Sequence, residues 1–161
     1  MSHSREFFDL QRASLAVDIF SSEPDLRDVA IEAISTAAIP WNCSNALIEA
    51  ARAQAIRCVL SGSSPSNEII DQLRLHVFDR KRDALHAMAK VCTFGTSAID
   101  RARWRKLDIS EFTWMSIGKP LCDFDHDALD GLVFSLGDGF SGNFPGRQYG
   151  CRCWGAPVIV F

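Results

Sequence analysis

The sequence predicts an α+β fold, with a mostly helical N-terminal part followed by a small, loop-rich α+β module at the C-terminus. Three observations lead there. Up to Leu107, apolar residues recur at threes and fours, the period of amphipathic helices. Beyond Leu107 the pattern changes to short, β-branched and aromatic runs separated by glycine-rich turns. The same stretch gathers three of the six cysteines and one of the four histidines, as Cys122-x-x-x-His126 and Cys151-Arg152-Cys153. The expected division is a helical N-terminal region (1–62), a long helix or helical hairpin (63–106) and the Cys/His module (107–161).

The elements follow in order. Residues 5–20 carry Phe7, Phe8, Leu10, Leu15, Ile19 and Phe20 in two broad stripes at helical spacing. Ser21-Ser22-Glu23-Pro24-Asp25 breaks that pattern and opens a second helix, with Ser22 or Glu23 near its cap and acids in its first turn. Leu26, Val29, Ile34 and Ala37 face inward there, the helix reaches about Ala38, and Pro40 stops it. Asn42 or Ser44 caps a third helix that ends at Gly62.

The run 61–66 reads as a linker, with Ser64 before Pro65 as cap and first helical position. A long helix is expected from there to Cys92 or Phe94, resuming after Gly95 through Ala98, Ala102 and Trp104. The charged run 79–83 then reads as one exposed turn of that helix. Alternation over 110–117 predicts a strand with Phe112 and Trp114 on one face, and 132–134 and 156–161 are expected as two more.

Composition narrows the function classes. A chain of 161 residues suits one ordinary domain, or a helical module plus a small appended one. With 47% hydrophobic residues and moderate charge it should fold. A net charge of −3 speaks against a general phosphate-neutralising surface and leaves room only for local basic patches. Two such patches exist: Arg80, Lys81 and Arg82, and then Arg101, Arg103 and Arg105 with Lys106. Each fits either phosphate or partner contact, or a solvated helix face. No apolar run nears the roughly 20 residues of a membrane span, and no membrane partner is expected. The charged N-terminus lacks the apolar core of an export signal, so a protein cytosolic at synthesis is expected. Cys43, Cys58 and Cys92, set among Ala, Ile and Val, read as small buried fillers.

The tail residues carry the chemistry. Cys122 and His126 share one face if 121–129 form a helical turn, and the x between Cys151 and Cys153 puts both thiols on one side of an extended segment. Together they make a Cys3His set of the kind that binds zinc tetrahedrally. The same residues also fit a metal-free arrangement, with Cys151 and Cys153 as core thiols and His126 bonded to loop backbone. Known catalytic patterns fit poorly. The zinc deaminase signature needs His-x-Glu and Pro-Cys-x-x-Cys, neither of which is present. A Cys–His hydrolase built on Cys122, His126 and Asp130 lacks an oxyanion-hole signature. Asp123, Asp125, Asp127 and Asp130 lack the spacing of a calcium loop and read as turn caps. No enzymatic activity is expected.

Several of these residues together resemble a known family. Trp114, Cys122 and His126, Ala128-Leu129-Asp130-Gly131 with Val133-Phe134, Pro145-Gly146, Cys151-Arg152-Cys153 and Pro157 resemble the C-terminal signature of the phage Mu F-like head morphogenesis (minor head protein) family. The resemblance covers roughly residues 85–158. One departure is a Cys122–His126 interval one residue longer than the family's common form. The resemblance implies a structural virion protein in the head or portal interior, present in the host cytoplasm during assembly. Its implied partners are the portal protein and the major capsid or scaffold protein, with DNA as a further one, and its implied work is capsid assembly or DNA packaging and ejection. A nucleic-acid-binding virion module is the alternative from another class, and a Cys–His hydrolase the third.

Overall fold

The computed structural model describes residues 23–116 and 125–159; the helix expected over 5–20 and the segment holding Cys122 lie outside the described residues. Four helices are followed by a three-stranded antiparallel sheet, the helical-then-strand α+β order expected from the sequence.

Helix α1 (Pro24–Ser35) begins with proline where a missing N–H costs nothing, and buries Leu26, Ala30 and Ile34 on one stripe. It ends short of the expected Ala38, at Thr36, whose hydroxyl and N–H both donate to the Glu32 carbonyl. Helix α2 (Asn45–Ser61) is capped by Ser44, whose hydroxyl accepts from the Leu47 N–H at 3.3 Å. It closes at Gly62 in the left-handed region, φ 65°. Ser44→Ala should therefore lower stability by about 1 kcal/mol, read as a shifted urea midpoint at unchanged slope.

The expected long helix is two helices. Helix α3 (Asn67–His76) is capped by Ser66 rather than Ser64, and helix α4 (Lys81–Lys106) follows a break. At the break the N–H groups of Val77 and Phe78 both close onto the Leu73 carbonyl at 2.9 Å. Turning there folds both side chains against the helical core, with Phe78 edge-on to Trp41 at 5.7 Å. A straight helix would have presented Phe78 away from that face. The charged run 79–83 accordingly spans the junction and the first turn of α4, with Arg80 at the N-cap position. Nor does Gly95 interrupt α4. It is buried where a Cβ would lie 2.8 Å from Ile34 Cδ1, so glycine sets the close approach of α1 to α4.

The largest core cluster takes Ala51 and Ala55 from α2, Ile70 and Leu73 from α3, and Met88 and Val91 from α4. Buried side chains on both sides of residue 62 thus pack together. Cys58 is buried and Cys92 half-buried, as expected of fillers; Gln54 Nε2 donates to Cys58 Sγ at 3.6 Å and Cys92 Sγ to the Ala55 carbonyl at 4.0 Å. The Cys58 sulfur beside it, with burial, pushes the Cys92 thiol up and keeps it protonated.

Strand β1 (Glu111–Met115) lies between β2 (Val133–Ser135) and β3 (Trp154–Pro157), antiparallel to both. Strand β3 starts earlier than the expected 156–161. Ladder pairs run from Met115↔Trp154 to Phe112↔Pro157, and just beyond them the Val158 N–H donates to the Glu111 carbonyl at 3.0 Å. One face of the sheet buries Phe112 and Trp114 completely, with Leu129, Leu136 and Phe144 around them.

This second core sits on α4. Trp104 stacks on Phe112, the rings 6.1 Å apart and inclined by 24°. Ser97 donates its hydroxyl to the Pro145 carbonyl, and Trp41 Nε1 donates to the Tyr149 hydroxyl at 2.7 Å. Gly146, φ +74°, crosses so near α4 that a Cβ would stand 2.9 Å from Ser97 Cβ. Gly146→Ala combines this clash with a disfavoured backbone, so a loss of about 2 kcal/mol in chemical denaturation is expected.

Candidate metal centre

Three short pieces of chain bring the site together. After β1, the chain returns as a 3-10 helix (His126–Leu129) whose N-cap, Asp125, accepts from the Asp127 N–H at 3.1 Å. This turn is fastened to the end of β1. Asp130 accepts from the Ser116 N–H and Asp127 from the Ser116 hydroxyl, both at 2.7 Å. Gly131 N–H further donates to the Trp114 carbonyl at 2.8 Å. These three carboxylates cap and tie the turn, the role expected of them from the sequence. They leave His126 pointing inward, edge-on to Trp114 at 5.4 Å and 83°.

The thiols arrive from the other end of the module. Cys151 closes a turn in which its N–H donates to the Gln148 carbonyl at 3.0 Å, and Cys153 directly precedes β3. Both cysteines are buried while Arg152 between them is exposed, so the period-two spacing does place the two sulfurs on one side. Arg152 has no hydrogen-bond partner among the described residues.

His126 Nδ1 stands 3.1 Å from Cys153 Sγ and 3.4 Å from Cys151 Sγ, and the three donor atoms lie within 4.8 Å of one another. Exposures of 1%, 4% and 5% for His126, Cys151 and Cys153 close the cluster to solvent. The Gly146 N–H donates to Cys151 Sγ at 3.3 Å, a bond that favours the thiolate. Burial holds the His126 imidazole below its ordinary pKa, against the pull of Asp125 and Asp127, so the neutral form that binds metals is favoured. An imidazole and two thiols at these separations could hold a single metal ion.

Of the expected Cys3His set, the structure therefore brings together His126, Cys151 and Cys153, and Cys122 lies outside the described residues. The basic patches are less uniform than the sequence suggests. Arg80, Lys81 and Arg82 are exposed, and Lys81 Nζ donates to Asn67 Oδ1 at 3.4 Å. In the second patch Lys106 is engaged by Glu23 and Asp25 at 2.7 and 2.6 Å. Arg105 is exposed and Arg103 half-buried. Arg101 turns inward, donating to Ser97 Oγ at 2.7 Å and lying 5.2 Å above the Phe144 ring. Two contributors were not singled out from the sequence: the Gly146 N–H at the thiol and Arg147 beside Arg101. The spacing of Pro145-Gly146 ahead of Cys151 was the available signal for the first.

Nothing matches this chain among protein-family models, curated proteins or solved structures.

Proposed function

We propose that the C-terminal module is a zinc-stapled structural knuckle, and that the chain is a non-enzymatic minor head protein of a phage virion. The observation that carries the first part is the closed trio of His126, Cys151 and Cys153. Zinc bonds of about 2.05 Å to nitrogen and 2.3 Å to sulfur place tetrahedral donors about 3.5 Å (N to S) and 3.8 Å (S to S) apart. The 3.1 and 3.4 Å separations here are a short relaxation away. Two thiolates and an imidazole suit zinc better than hard, oxygen-seeking cations. In this reading Cys122, four residues before His126, completes the set. A four-ligand closed site holds a fold together and offers no open position for a substrate.

The second part rests on the resemblance of the tail to head morphogenesis proteins, and the buried cluster is compatible with it. The protein would sit at the portal or in the capsid interior and act in assembly or in DNA packaging and ejection. It would contact portal, capsid or scaffold protein through its helices. Mass spectrometry of purified heads should find it at low copy number, and its absence from heads would refute the assignment. A second reading, a nucleic-acid-binding virion module, draws on the exposed Arg80, Lys81 and Arg82. Duplex binding that weakens steeply with salt, and that is lost when all three become glutamine, is its expected result. The two parts fail separately, since a zinc knuckle can exist outside a virion.

A further inference from the structure

Arg101 and Arg147 belong to no part of the metal centre, yet both line one cavity of about 350 Å³ between α1, α4 and the loop that follows Phe144. We infer that this cavity is a binding site for a phosphate oxyanion.

The two guanidiniums reach it from different elements, Arg101 from α4 and Arg147 from the tail. Neither has a carboxylate within 4.0 Å among the described residues. Each is positioned by neutral groups. Arg101 donates to Ser97 Oγ and lies on Phe144, and Arg147 donates to the Gly142 carbonyl at 2.7 Å. Burial, with repulsion from Arg147 and Arg105 and against the attraction of Asp100, brings Arg101 down to about 10, still charged at neutral pH. Asp100, the neighbouring carboxylate that attracts Arg101, makes no ion pair with it within 4.0 Å, so two like charges are held near one another with no counter-charge in contact, an arrangement that an anion between them would relieve. The remaining charge on the cavity wall is Glu32, beyond 4.0 Å from both guanidiniums, and the other walls are mainly Val29, Ala33, Ala98 and Phe94. Tetrahedral phosphate has oxygens for two guanidinium forks approaching from different sides. A planar carboxylate is satisfied by one fork, so the pairing favours phosphate. The phosphate can be free or part of a nucleic-acid backbone.

Isothermal titration of the full chain with inorganic phosphate, against chloride at equal ionic strength, tests the site. A saturable one-site isotherm is expected. Arg147→Gln removes an exposed guanidinium and leaves the Arg101 packing intact, so it should weaken binding about tenfold. Glu32→Gln, which removes the opposing charge, should tighten binding. Titration with a short DNA duplex separates the sources: Arg147-dependent binding shows that the cavity accepts a backbone phosphate, and binding of inorganic phosphate alone shows a free-phosphate site. No saturable binding of either probe, or binding unchanged by both Arg147→Gln and Glu32→Gln, would overturn the inference.

Discussion

Cys153→Ser is expected to unfold the C-terminal module while α1 to α4 keep most of their helical signal. Cys153 is both a donor 3.1 Å from His126 Nδ1 and a buried member of the small aromatic core, immediately before β3. A structural zinc site contributes on the order of 10 kcal/mol or more, comparable to the whole stability of an ordinary domain. The strands here are three to five residues long, and their sheet cannot replace such a contribution. The loss should appear as collapsed near-ultraviolet dichroism, loss of dispersed amide resonances from 111–158, and loss of bound metal. Helical far-ultraviolet signal should persist, because the largest core cluster draws its buried members from residues 34–94. A Cys153→Ser protein with an unchanged denaturation midpoint and intact tail resonances would show that the module holds itself together without metal.

The second large effect is expected at Trp114. It is fully buried, contacts the rings of Phe112 and Phe134 at 6.4 and 5.9 Å, and forms the wall against which His126 stands. Trp114→Ala should cost about 3–5 kcal/mol, the range for deleting a large buried aromatic. Because the cavity would lie beside the imidazole, metal affinity should fall with it. Added zinc should then recover part of the lost stability through mass action. Trp114→Phe keeps a ring in place and should cost distinctly less. A loss below about 1 kcal/mol for the alanine variant, measured by urea titration with metal present, would contradict the packing described.

Much of this fold was legible because the deciding signals are local. Ser44 caps and Gly62 ends α2 by chemistry that needs no tertiary partner. The alternation of Phe112 and Trp114 with Thr113 and Met115 marks β1 in the same way. The misplaced boundaries are those decided across the fold. The break after His76 exists because Val77 and Phe78 have the helical core and Trp41 to pack against, and periodicity along one helix does not contain that information. Gly95 looked like a stop signal, whereas its role is contact with Ile34 on another helix. Strand β3 was displaced toward 156–161 because Val158, Ile159 and Val160 have the stronger β preference; its place is set instead by pairing with β1.

The candidate site was legible to the same degree and for the same reason. Cys151-x-Cys153 and His126 announce themselves as donors by type and spacing. That His126 enters from a 3-10 turn tied to Ser116 by Asp127 and Asp130 depends on contacts made across the module. Arg101 shows the opposite case. In sequence it belongs to a basic run, and in the fold it leaves that run to lie on Phe144 beside Arg147.

The most direct measurement is metal content. Full-length protein purified without chelator and analysed by inductively coupled plasma mass spectrometry should carry about one equivalent of zinc per chain, and stripping that zinc should remove the tail's near-ultraviolet signal. Less than about half an equivalent of any metal, in protein whose 111–158 resonances remain dispersed, would contradict a structural ion at His126, Cys151 and Cys153.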